Sequence, residues 1–143
     1  MNWFLWALLS AFFAGLTAIL AKAGVAGVNS HLATAIRTVV ILVFAWAVAL
    51  AAAPAPVREL ATLSRRTWLF LVLSGLATGL SWLCYFRALQ LGEASRVAPV
   101  DKLGVVFAIV LAAVFLRERL TWTHWTGGAL ILAGVLVIAS KPG

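Results

Sequence analysis

Five apolar runs, each about long enough to cross a bilayer, fill nearly all of a 143-residue chain. The pattern predicts membrane-spanning segments over 3–21, 31–53, 67–88, 97–116 and 121–140. A helix rises about 1.5 Å per residue, so roughly 20 residues cover a hydrocarbon core of ~30 Å. Within lipid every backbone N–H and C=O must find a partner inside the protein, which leaves helices as the choice for runs this long. The connections, at about 23–30, 54–66, 89–96 and 117–120, leave no room for a second domain. The expected fold is therefore all-α: an integral membrane protein with five transmembrane helices in one domain over 1–143. An odd number of crossings puts the two termini on opposite sides.

Composition agrees with lipid as the solvent. Hydrophobic residues make up 64% of the chain and charged residues 10%. Soluble domains run near ~45–50% and ~25%. The net charge of +7 could suggest nucleic acid, but the basic residues form no stripe. They stand singly or in twos between apolar runs, as in membrane proteins. A bilayer is the expected surroundings, and no nucleic acid is expected as a partner. Cys84 is the single cysteine, and His31 and His124 lack the spacing of a zinc site. There is no glycine-rich phosphate loop and no nucleophile elbow, so no metal, no cofactor and no enzyme activity are expected. Only Met1 and Asn2 precede Trp3, which gives no basic n-region, so the first run is read as a retained span.

Pro54 and Pro56 are expected to end the second span, and Pro142 and Gly143 to close the fifth. Trp3, Trp6, Trp68, Trp122 and Trp125 fall near span ends, where tryptophan anchors at the interface. Small residues recur at helical spacing: Gly75 and Gly79 on span three, Gly104, Ala108 and Ala112 on span four, and Gly127, Gly128 and Gly134 on span five. Such faces allow close helix packing, either within the bundle or in a dimer through span five.

One membrane face holds Arg58, Arg65, Arg66, Arg117 and Arg119 against Glu59 and Glu118. The other holds Lys22, Arg37, Arg87, Arg96, Lys102 and Lys141 against Glu93 and Asp101. Five basic residues against six give almost no orienting bias, which allows two opposed copies to form an antiparallel homodimer. A parallel dimer with a single orientation, or pairing with a different protein, is the plainer alternative.

Several polar residues lie within the spans. Arg37 falls about two turns inside span two, Arg87 in the last turn of span three, and Asp101 and Lys102 more than a turn inside span four. A charge at mid-membrane costs about 2.5–3.5 kcal/mol on insertion scales. Lys22, Arg87 and Lys102 could snorkel to the interface. The short side chain of Asp101 could not, so it is expected to face a polar cavity or to pair with a base. Ser74, Thr78, Ser81 and Tyr85 share one helical face beside Trp82, expected to point inward as hydrogen-bonding groups or as a pathway wall.

The stretch from Tyr85 to Ser140 resembles the second part of an EamA-type repeat of the drug/metabolite transporter superfamily. The resemblance rests on the end of span three, on Ala94-Ser95 and Pro99, on Phe115-Leu116 and Glu118-Arg119-Leu120, and on the run from Gly128 to Val135. Arg37 in AIRTVVIL matches the repeat's usual arginine. Arg117 stands where the family often has glycine, and Asp101-Lys102 is not a general feature of the two-repeat members. The resemblance implies one five-helix repeat, where most members carry two inverted repeats, and a multi-pass protein of a prokaryotic plasma membrane.

The expected function is a secondary transporter of a small polar organic solute, working by alternating access as a homodimer. Arg37, Ser81, Trp82, Tyr85, Arg87, Asp101 and Lys102 are the expected pathway residues. Arg37 would contact an anionic group, and Asp101 would carry a coupling proton. Two other readings stand beside it: a cationic drug exporter using Trp82 and Tyr85 for cation–π contacts, and an accessory membrane subunit with no pathway of its own.

Overall fold

A computed structural model describes residues 3–52 and 60–140. Pro54, Pro56, Arg58, Glu59, Lys141, Pro142 and Gly143, which carry some of the sequence expectations, lie outside the described residues. The described residues form six principal helices and no strand. These are α1 (Trp3–Gly24), α2 (Ser30–Ala52), α3 (Arg65–Leu91), α4 (Ala94–Asp101), α5 (Gly104–Phe115) and α6 (Trp122–Ser140). Counting Ala94–Phe115 as one broken span, five are long and apolar enough to cross a membrane.

The fourth span, expected over 97–116, is present as Ala94–Phe115, but its helix is not continuous. It breaks at Lys102 and Leu103. Pro99 has no N–H to donate to the preceding turn. Downstream, Lys102 N–H donates to Pro99 O and Leu103 N–H to Val100 O, both at 3.0 Å. Val105 N–H donates to Lys102 O at 3.0 Å and Val106 N–H to Leu103 O at 2.9 Å. These three-residue steps tighten the backbone while keeping its polar groups paired, as lipid demands. The third span is also longer than expected, so Arg87 lies a full turn before its end.

Contacts divide the chain into two compact units, Ala21–Gln90 and Met1–Leu20 with Leu91–Gly143. In the first unit, α1 ends in a turn where Gly27 adopts φ 75°, a left-handed conformation that glycine takes without strain. Asn29 then caps α2: its Oδ1 accepts from His31 N–H at 2.9 Å and Leu32 N–H at 3.4 Å. Ser64 does the same for α3 through Thr67 N–H at 3.1 Å. The buried residues of this unit are Val25, Ser30, Thr34, Phe86 and Leu89. In the other unit α6 packs on α4 and α5, burying Gly128 and Val135. Arg96 Nη2 donates to Ala139 O at 3.5 Å across the α4–α6 contact.

Most large apolar side chains remain exposed, with Phe44 at 69% and Leu130 at 69%. A soluble protein rarely leaves contiguous apolar patches this wide, so lipid or another chain covers them.

Candidate substrate site

The polar face of α2 begins at the Asn29 cap. Thr34 donates its hydroxyl to Ser30 O at 2.8 Å, and Thr38 donates to Thr34 O at 2.8 Å. Back-bonding of this kind settles a hydroxyl donor in an apolar setting. Arg37 adjoins this ladder. Its guanidinium carbon lies 4.8 Å from the Trp82 ring centroid and 5.3 Å from that of Phe86. Both fall inside the ~6 Å range of a cation–π contact, in which the negative face of a ring attracts the cation. Trp82 and Phe86 are four residues apart on α3, so both rings present one face to the arginine. Tyr85 lies within electrostatic range of Arg37 and meets Phe86 edge-on, with centroids 6.4 Å apart.

Arg37 is stacked but not neutralised. Among the described residues it forms no ion pair with an acid; the one ion pair there joins Lys102 to Asp101. Its five N–H donors form a planar fork that suits the two oxygens of a carboxylate or phosphate.

The other expected site residues make different contacts. Arg87 is exposed and donates Nη1–H to Gln90 Oε1 at 3.2 Å. Gln90 Nε2–H donates in turn to Val28 O, and Lys22 Nζ donates to Leu89 O at 2.6 Å. Arg87 therefore joins a latch holding the end of α3 to α1 and to the α1–α2 turn. Ser74, Thr78 and Ser81 are exposed, and Thr78 returns its hydroxyl to Ser74 O at 2.9 Å. The stripe expected to point inward is thus exposed among the described residues. Asp101 and Lys102 pair at 3.3 Å, with side chains 37% and 54% exposed, at the break between α4 and α5 in the other compact unit. The base that meets Asp101 is the adjacent Lys102.

Two residues of the cluster were not singled out from the sequence. Phe86, 3% exposed, supplies the second ring under Arg37. Thr34 is buried beside the cluster. The signal for Phe86 was its position one turn after Trp82. Its apolar neighbours in YFRAL concealed it.

The comparisons agree with this architecture. The model of the EamA-like transporter family matches residues 1–140. An "uncharacterized transporter in cobO 3'region" from a Sinorhizobium species is 54% identical over 138 residues, covering 96% of each chain. A probable 4-amino-4-deoxy-L-arabinose-phosphoundecaprenol flippase subunit from Pseudomonas fluorescens is 36% identical over 76 residues, 52% of this chain and 64% of its own. A probable terminal-alkyne amino-acid exporter from Streptantibioticus cattleyicolor is 39% identical over 71 residues, 47% of this chain and 23% of its own. No solved structure matches. A family match over nearly the whole length, five apolar helices and a near full-length transporter relative lead to one conclusion: the chain belongs to the EamA-like transporter family.

Proposed function

We propose that this membrane transporter moves a small polar organic solute bearing an anionic group, and that Arg37 is the residue that receives it. The observation carrying this reading is the Arg37 guanidinium, stacked on Trp82 and Phe86 with no acidic partner among the described residues. An unneutralised cation in a membrane span is costly unless a ligand or a polar cavity meets it. Alternating access by two antiparallel copies fits a single five-helix repeat, since inverted repeats around a central site are a common transporter plan. The open space at Gly75 and Gly79, with nothing within 4 Å of an added Cβ, leaves α3 able to approach a second copy closely. Asp101, paired with Lys102, is the proposed proton carrier.

The test is uptake of small carboxylates and phosphate esters by proteoliposomes, with and without a proton gradient. Arg37→Gln is expected to abolish uptake of the anionic solute, and Asp101→Asn to remove its dependence on the gradient. Uptake unchanged in Arg37→Gln removes Arg37 from the site. Gradient dependence unchanged in Asp101→Asn removes Asp101 from coupling. Tags on each terminus test the dimer: accessibility of each from one side only excludes opposed copies.

One relative favours a second reading. The Pseudomonas fluorescens protein is named a flippase subunit, which suits a chain that works beside a different membrane protein. Co-purification of a larger membrane partner, with no transport by the isolated chain, would support it. Export of cations is less well supported, because Arg37 already occupies the Trp82 ring that a cationic drug would use.

A further inference from the structure

We infer that the α5–α6 hairpin carries a binding site for one anionic phospholipid, with its phosphate at the 117–124 turn and an acyl chain in the groove between the helices. The groove, about 210 Å³, is walled by Val106, Ile109 and Val110 of α5 and by Trp125, Gly128 and Leu132 of α6, with His124 at its loop end. From His124 to Leu132 it runs eight residues, about 12 Å at ~1.5 Å per residue, close to the ~15 Å of one leaflet's hydrocarbon. Its lining is apolar apart from the histidine.

The loop end has the chemistry of a phosphate site. Thr121 N–H donates to His124 Nδ1 at 3.2 Å. A backbone N–H can only donate, so Nδ1 must accept, and the ring proton lies on Nε2. That Nε2–H has no partner among the described residues. Arg117 and Arg119 stand in the same short turn, exposed, and neither forms an ion pair with Glu118. Two arginines against one glutamate leave one net positive charge, the complement of a phosphodiester.

The backbone at Arg117 adds to the case. Its φ is 55°, a left-handed conformation that disfavours any residue with a Cβ. Glycine would hold the turn without strain. Arginine stands there against its local conformational preference and forms no ion pair among the described residues. An anionic lipid supplies the missing interaction.

The test uses the full chain purified in detergent. Thermal shift is measured on titration with phosphatidylglycerol, with phosphatidylcholine of the same acyl chains, and with inorganic phosphate. Phosphatidylglycerol is expected to raise the melting temperature saturably, and the other two are not. Arg117→Gly with Arg119→Gln is expected to weaken phosphatidylglycerol binding about thirty-fold, from roughly fivefold per arginine near an anionic headgroup. Arg117→Gly relieves the turn, so this loss is not one of folding. Gly128→Phe fills the groove and is expected to block binding with both arginines present. Equal shifts from the two lipids, a response to inorganic phosphate alone, or undiminished binding in the arginine variant would each overturn the inference.

Discussion

The cation–π contact of Arg37 with two α3 rings can be measured as an energy. The guanidinium carbon is 4.8 Å from the Trp82 centroid and 5.3 Å from that of Phe86. Cation–π contacts contribute about 0.5–1 kcal/mol when exposed and ~2 kcal/mol or more when desolvated. Arg37 and Trp82 are both partly buried, and tryptophan is the stronger ring. The expected coupling is therefore about 1 kcal/mol for Arg37 with Trp82. With the more distant phenylalanine it is about half that. The perturbation is a double-mutant cycle of Arg37→Met and Trp82→Leu, which remove the charge and the ring while keeping apolar bulk. Thermal unfolding of the four proteins in one detergent reads the result. For a domain near this size, ~1 kcal/mol corresponds to a shift on the order of 4 °C. The double variant is thus predicted to melt about 4 °C higher than the sum of the single losses implies. Additivity to within ~0.3 kcal/mol would refute the reasoning, since it would mean the rings and the guanidinium are neighbours without interaction.

Three further outcomes follow from the backbone. Asn29→Ala removes the acceptor for two N–H groups at the start of α2 and is predicted to cost about 1 kcal/mol, seen as a drop of a few degrees in melting temperature. Gly27→Ala is predicted to lower stability, and Arg117→Gly to leave it unchanged or raise it modestly. Alanine at φ 75° introduces strain of about 1 kcal/mol. Glycine at φ 55° relieves a similar strain, less the ~0.5–1 kcal/mol of its own greater entropy loss, giving a neutral to modestly stabilised protein. A loss of stability in lipid-free detergent for Arg117→Gly would show that the arginine has a structural partner within the chain.

The spans were legible because the bilayer fixes both the length and the polarity of what crosses it. The expected segments 3–21 and 31–53 lie within a few residues of α1 and α2 at both ends. The break in span four was not legible from apolarity, since 97–116 is a nearly continuous apolar stretch whether or not its backbone is kinked. Pro99 was the available sign. The charges stood out against an apolar background, so Arg37 and Asp101 were visible. Pairing is a three-dimensional property, and it separated them: Asp101 meets its neighbour Lys102, while Arg37 meets rings. The stripe of Ser74, Thr78 and Ser81 was found by its helical period. Periodicity says which residues share a face, but not what covers that face.

The proposal that Arg37 receives an anion is tested most directly by ligand stabilisation. A ligand that binds only the native state must raise its melting temperature, by about 2.7 kcal/mol of stability at a hundredfold excess over Kd. A panel of small carboxylates, phosphate esters, neutral polyols and organic cations is screened against the wild-type protein and against Arg37→Gln. The account predicts that one or more anions stabilise the wild type and that Arg37→Gln loses the effect. Stabilisation by cations alone, or by an anion equally in both proteins, would contradict it.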